Sequence, residues 1–214
     1  DAYLRSTISK NHLRDMRRQF RLLGELGHIS YHVARQPEEI RRRMEEFLAL
    51  EASGWKGRKR SAMVMDRFRA AFAREAITNL AEVDAVRIHT LDLNGVAIAS
   101  MVVFIMAGEA YTWKTAYDER YARFSPGKLL LSDLTDWHLD DPNIERTDSC
   151  AVPDHPIMSR LWKEREEMGT LLIGLRPNAD RDTRQAATQL HMYRNTRNLA
   201  RILRDKILSR RFTD

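Results

Sequence analysis

The chain has 214 residues, 43% of them hydrophobic, with a formal net charge of +6. That length buries one full core with appendages and excludes an assembly of several large domains. No apolar run is long enough to span a bilayer, and the single cysteine, Cys150, excludes an internal disulfide and suits a reducing, cytoplasmic compartment. The positive charge gathers at the two ends: Arg14, Arg17, Arg18 and Arg21 at one, Arg194, Arg197, Arg201, Arg204, Lys206, Arg210 and Arg211 at the other. These read as solvated helix faces rather than a nucleic-acid footprint, because zinc-finger spacing and an RNP motif are missing. DNA is not an expected partner and no metal is expected. The chain opens at Asp1 and is read as a piece of a longer protein, with an N-terminal domain of the same parent chain expected.

Ser9 can cap a helix that places Leu13, Met16, Phe20 and Leu23 on one face, ending at Gly24 and Gly27. His28–Ala34 alternates as a strand does. Pro37 suits a first helical turn, with Glu38 and Glu39 at its positive end and Ile40, Met44, Phe47 and Leu48 as the buried stripe. After Glu51 comes Gly54-Trp55-Lys56-Gly57-Arg58. Ser61 can cap a third helix, with Met65, Phe68, Phe72 and Leu80 expected in the core.

Three strands follow. Ala85–Leu93 ends at Asn94-Gly95, a strong hairpin signal. Val96–Ala107 is apolar enough to be central, and Gly108-Glu109 turns into Ala110–Ala116. A polar loop, Tyr117–Phe124, leads through Ser125-Pro126-Gly127-Lys128 into a helix ending near Leu139. Ile144–Cys150 reads as a fourth strand of this set, Ile157–Met168 as a helix and Thr170–Leu175 as a short strand. A long helix, roughly Arg184–Arg210, closes the chain with Ala186, Leu190, Tyr193, Ala200, Leu203 and Ile207 on one face and a basic opposite face. That basic face suits an anionic surface, so peripheral contact with an inner membrane is an expectation. The order predicts an α+β fold with a mixed central sheet: an antiparallel meander, then a helical crossover to a strand parallel to the last of the three. Three segments are expected: a basic helix over 1–26, the catalytic core over 27–176 and a basic amphipathic helix over 177–214.

One start site carries chemistry by itself. Ser125 can be an N-cap, Pro126 fits the first helical position, and Gly127 lets a ligand approach bare backbone. A helix start offers unpaired N–H groups and partial positive charge, so it can hold a phosphate, and Lys128 adds a formal charge there. The plain alternative is a well-capped helix without a ligand.

The element order resembles the GNAT acetyltransferase core. Leu50-Glu51-Ala52-Ser53-Gly54-Trp55-Lys56-Gly57-Arg58, and Tyr117-Asp118 followed after six residues by Ser125-Pro126-Gly127-Lys128-Leu129-Leu130, resemble the CelD/BcsL-type branch of cellulose and exopolysaccharide biosynthesis. The same domain is similar to FemAB-type aminoacyl transferases. The resemblance spans about Ser9–Leu175. It implies that an acyl-CoA such as acetyl-CoA is the donor, that Ser125, Pro126, Gly127 and Lys128 grip its pyrophosphate, and that Arg123 fills the usual basic role of the loop. It implies a pantetheine arm between splayed strands, with the thioester near Tyr111–Tyr117 and Glu145–Cys150. The acceptor is then an amine or hydroxyl, a sugar or cell-envelope component among them.

Acyl transfer needs a base, an oxyanion donor and an acid for the thiolate. Asp118, His155 and Glu109 are candidates for the base. Asp118 can equally cap its loop, Asp154 or Asp148 can orient His155, and Glu109 sits in a hairpin turn. Tyr117 can be acid or oxyanion donor, or a packing aromatic. Lys114 depends on strand register. Cys150 reads as a small buried residue rather than a nucleophile. Glu51, Trp55, Lys56 and Arg58 fall on the acceptor side by resemblance, with Trp55 stacking on a ligand face and the cations meeting a carboxylate or phosphate; the alternative is a tight turn with an anchoring Trp. Trp137 and Trp162 read as core or domain-contact aromatics. A tRNA-dependent aminoacyl transferase and a non-catalytic GNAT-like module are the rival readings.

Overall fold

A computed structural model describes residues 2–152 and 155–210, without the side chains of residue 2 and of 201–210. Asp154, Arg211 and the side chains of Arg201, Leu203, Arg204, Lys206, Ile207 and Arg210 therefore lie outside the described residues. The chain forms two units, one ending at Glu164 and the other beginning at Arg165.

The first unit is built on a five-stranded sheet in the order β1-β2-β3-β4-β5. Its strands are Ile29–Ala34, Val86–Leu93, Val96–Met106, Glu109–Tyr117 and Arg146–Asp148. The first four pair antiparallel and the fifth runs parallel to β4, as the helical crossover requires. This is the expected α+β mixed sheet with a meander. Both hairpins turn on left-handed residues: Asn94 and Gly95 have φ of 52° and 78°, and Ala107 and Gly108 have 50° and 80°. Glu109 is thus the first residue of β4 rather than part of the turn.

Helices cover both faces, so β2 is buried along its whole length. On one face lie α3 (Pro37–Ser53) and α5 (Arg67–Glu82). Ile40, Met44, Phe47 and Leu48 of α3 pack there with Ile77, Val86, Ile88 and Val102. On the other face lie α1 (Ala2–Thr7), α2 (Lys10–Gly24), α6 (Pro126–Asp140) and α7 (Met158–Leu161). Leu23, Leu91, Met101, Val103, Leu130, Leu131 and Leu134 fill that core. Ser9 caps α2 as expected, accepting the His12 N–H. Gln19 is buried on α2 while Phe20 is exposed, so the helix is rotated slightly from the expected face.

Four expectations are corrected. The cap of α5 is Asp66, which accepts the N–H groups of Phe68 and Arg69, and not Ser61. Its buried face is Ala70, Ala73, Ile77 and Ala81, whereas Met65, Phe68 and Phe72 are exposed. The small residues let the helix lie close to the sheet, and the aromatics are left outside. The expected helix over Ile157–Met168 is one turn, α7, after which residues 162–175 are irregular; no strand forms over Thr170–Leu175. Trp162 ends that turn by donating from Nε1 to Thr135 Oγ1 at 2.9 Å.

The second unit contains α8 (Asp180–Arg210), with Asp180 and Asp182 at its positive end. Among its described side chains, Met192, Tyr193 and Leu199 are exposed.

Candidate active site

The sheet opens at the end of β4. Pairing with β5 covers only Glu109–Tyr111 against Arg146–Asp148. Beyond it, Thr112 Oγ1 donates to the Ser149 carbonyl at 2.8 Å, a side chain standing where a ladder bond would be. A bulge between Val102 and Val103 makes Trp113 the extra residue of β4 and re-aims the strand. The stretch from Trp113 to Tyr117 then has no strand partner on its β5 side among the described residues. Such an edge offers free backbone groups to an extended amide-bearing ligand.

Next to that edge is the start of α6. A 3-10 segment, Glu119–Phe124, leads into it. Ser125 occupies the N-cap position in the left-handed conformation, φ 52° and ψ 51°, and its side chain makes no capping bond, which corrects the expected serine cap. The first turn contains no acidic residue. A Cβ built on Gly127 would meet nothing nearer than Tyr117 Cδ1 at 3.9 Å, so the backbone is open to approach. The helix start is therefore uncapped, accessible and free of acid, which is what a phosphate needs.

The pKa of His12 on α2 is held below its ordinary value by burial, then by the charges of Lys128, Arg160 and Lys163, with Asp15 opposing. Lys128 of α6, Arg160 of α7 and Lys163 thus each act on the same imidazole. None of the three is held in an ion pair among the described residues. Arg160 and Lys163 were not legible as site residues; their only signal is three-residue spacing in a segment read as an ordinary helix. Arg123 points elsewhere. Its guanidinium lies 4.5 Å over the Phe124 ring, and it lines a groove with Arg18, Gln19 and Glu25 of α2.

The second motif sits across β4. Leu50, Glu51, Trp55 and Lys56 line a cleft with Thr115, Ala116, Tyr117 and Glu119. Glu51 is buried and internally engaged: Lys56 Nζ and the Met63 N–H donate to it at 2.8 Å each, and Lys114 Nζ lies 4.0 Å away. Burial pushes the Glu51 carboxyl up, but the Lys56 and Met63 bonds outweigh it and hold the pKa below the ordinary value. Glu51 thus pins the turn from α3 through α4 (Trp55–Arg58) rather than facing a ligand. Trp55 is exposed, with its N–H donating to Glu119 Oε1 at 2.7 Å. Arg58 donates to Glu119 Oε2 at 2.6 Å. Lys114 is turned towards Glu51 and α3.

The base candidates are placed unequally. Asp118 caps the 3-10 segment through the Arg120 N–H and grips the Arg120 guanidinium at 2.6 Å. Those bonds keep its pKa below the ordinary value, so it stays ionised and weakly basic. His155 Nδ1 accepts the N–H groups of Ile157 and Met158 at 3.3 and 3.2 Å. A neutral ring so engaged carries its proton on Nε2 and is a donor there. Glu109 is tied to Arg146 at 2.6 Å and to the Tyr111 hydroxyl. Cys150 is exposed, not buried; burial of its thiol and the Asp148 charge raise its pKa, so little thiolate forms. Tyr117 is brought together with Gly127 and the Trp55 cleft, whereas His155 makes no hydrogen bond to them among the described residues.

A family model described as an acetyltransferase (GNAT) domain matches residues 10–151. The chain belongs to the GNAT acetyltransferase family. It is an enzyme, and acyl-CoA-dependent acetyl transfer is its class of activity. Similar solved structures include the aminoglycoside acetyltransferase meta-AAC0020 from an uncultured soil metagenomic sample, crystallised with sisomicin, at 12% identity over 69% of this chain and 97% of that one, TM-score 0.47. AAC(6')-Iy in complex with the bisubstrate analog CoA-S-monomethyl-acetylneamine is similar at 14% identity over 71% and 99%, TM-score 0.44. The ribosomal-protein-alanine N-acetyltransferase of Brucella melitensis biovar Abortus 2308 is similar at 11% identity over 69% and 99%, TM-score 0.46. Among curated proteins no sequence matches. In this GNAT enzyme the uncapped start of α6 offers free N–H groups and the β4 edge beyond Tyr111 offers unpaired backbone.

Proposed function

We propose that this GNAT enzyme acetylates a hydroxyl or amine on a sugar, polysaccharide precursor or other cell-envelope component, in the manner its CelD/BcsL-like motifs imply. The observation that carries the donor half is the uncapped start of α6, with Lys128, Arg160 and Lys163 each acting on the His12 imidazole. Gly127 N–H and Lys128 take the pyrophosphate, and Arg160 and Lys163 take the remaining phosphate. The pantetheine amides pair with β4 between Trp113 and Tyr117.

The acceptor enters the cleft of Trp55, Lys56 and Tyr117. An exposed indole offers a face for a sugar ring. The cations around it favour a neutral or anionic acceptor over a polycationic one. The acceptor oxygen or nitrogen attacks the thioester carbonyl, the carbon–sulfur bond breaks, and the thiolate takes the Tyr117 phenolic proton. The proton released by the acceptor restores Tyr117. The step is assigned to Tyr117 rather than to Asp118, which is held ionised by Arg120, or to His155, whose Nδ1 is occupied.

The test is release of free CoA from acetyl-CoA over a panel of sugars, polyols and amines, with Trp55→Ala beside the wild type. The reading expects a sugar-type acceptor whose KM rises in the variant while acetyl-CoA affinity holds. Turnover confined to polycationic amines, or an unchanged acceptor KM, would overturn the acceptor assignment.

A further inference from the structure

At its N-terminal end the outward face of α5 carries two aromatic rings among mostly polar exposed residues. Phe68 and Phe72, one turn apart, are 72% and 68% exposed, and Met65 just before them is 50% exposed. The helix cannot roll to hide them, because Ala70, Ala73, Ile77 and Ala81 on its other face are buried against the sheet and α3. The start of this element is also pinned: the Met63 N–H is held by Glu51. The two rings are therefore held on a fixed helix face rather than on a loose flap.

Arg67 lies on this face itself, and Lys59 and Arg60 precede it in the chain, while Glu75 follows it. Lys59, Arg60 and Arg67 have no ion-pair partner among the described residues. Asp66, the acid beside them, is used as the cap of α5. Two of the cations lie on aromatic faces, Arg67 4.6 Å over Phe68 and Lys59 5.3 Å over Trp55. Arg60, two residues past α4, is exposed and has a left-handed φ of 54°.

We infer that this face docks the enzyme on an anionic membrane surface, with Phe68, Phe72 and Met65 entering the headgroup–acyl boundary and Lys59, Arg60 and Arg67 meeting lipid phosphates. Aromatic rings topped by cations match that boundary layer by layer, apolar below and phosphate above. An anionic bilayer supplies both halves of the match, phosphates for the unpaired cations and an apolar layer for the rings. The inference stands on surface chemistry alone and is independent of the acceptor assigned above.

The test is co-sedimentation with vesicles of phosphatidylcholine alone and with phosphatidylglycerol added, at low and high salt. Three variants accompany the wild type: Phe68→Ser/Phe72→Ser, Lys59→Gln/Arg67→Gln, and Arg194→Gln/Arg197→Gln in α8. Acetyl-CoA binding, which these positions do not touch, reports that each variant is folded. The expected result is binding of the wild type to the anionic vesicles, weakened by high salt and reduced about tenfold or more by each of the first two variants but not by the third. Wild type left in the supernatant with anionic vesicles would overturn the inference. So would Phe68→Ser/Phe72→Ser binding as well as wild type, which would assign any attachment to another surface. A wild-type dimer that this variant converts to monomer would assign the face to a second copy of the chain instead.

Discussion

Gly127 turns its open side to the ring of Tyr117, and a methyl group placed there would come no nearer than 3.9 Å to Cδ1. The first turn of α6 and the last residue of β4 thus form the two walls of one opening. Space at Gly127 is free for a small addition, and its φ is not in the left-handed range. Gly127→Ala is therefore expected to fold and to gain between 0 and about 1 kcal/mol of stability from helix propensity. It is expected to weaken CoA binding only severalfold. Thermal unfolding with and without CoA checks both halves.

Tyr117 and Asp118 are neighbours in sequence with opposite expected phenotypes. Tyr117→Phe should lower kcat by about 10- to 100-fold with little change in acetyl-CoA affinity, the usual weight of one general acid. Asp118→Asn keeps a capping oxygen but loses the ion pair to Arg120 and should cost under about 1 kcal/mol of stability. It should leave the pH profile of kcat/KM in place, because the carboxylate is already ionised across the working range. A lost limb of the pH profile in Asp118→Asn would make that residue the base.

The buried Glu51 carboxylate links α3 to Lys56 and to the Met63 N–H. Removing it leaves an unpaired lysine and an unbonded N–H in a half-buried turn, so Glu51→Ala should destabilise by about 2–4 kcal/mol. Trp55 would lose its fixed position, and acceptor KM would rise with it. Urea unfolding measures the first effect and steady-state kinetics the second.

Beneath α6 lies a second set of buried ionisable groups. His138 is pushed down to about 4 by burial, His89 is lowered by burial and then by His138 and Arg87, and Asp133 is pushed up to about 6 by burial and the Asp136 charge. The two histidines are neutral when folded and ordinary when unfolded. Their contribution is present above about pH 6.5 and is lost as pH falls towards about 4. Asp133 acts in the opposite sense, binding its proton more tightly when folded and costing stability as pH rises through about 6. Two groups against one predict net loss of stability on acidification across this window. Asp133→Asn should raise stability at pH 7–8 by about 1–3 kcal/mol and steepen the acid loss. Thermal melts from neutral pH down to about pH 4 read both.

Local chemistry made much of the fold legible. Pro37 with its acidic first turn, the Asn94-Gly95 hairpin and the apolar run of β3 each fixed an element, and their order fixed the mixed sheet. Where the sequence reading failed, size was mistaken for burial. On α5 the largest apolar residues, Phe68 and Phe72, face out because Ala70, Ala73 and Ala81 allow close approach to the sheet. Gly127 and Lys128 were legible because a helix start is a local feature. The joint action of Lys128, Arg160 and Lys163 on His12 was not, since they come from segments far apart in the chain from α2. Nor was the engagement of Glu51 with Lys114, which bridges α3 and β4 across the sheet.

Calorimetric titration of acetyl-CoA and free CoA into the wild type and Gly127→Glu tests the donor site most directly. Bulk and negative charge at the helix start should abolish binding of both ligands while the melting curve stays cooperative. Wild-type binding that Gly127→Glu loses is the predicted result. Equal binding by a folded Gly127→Glu, or no binding by the folded wild type, would contradict the assignment of this helix start to acyl-CoA.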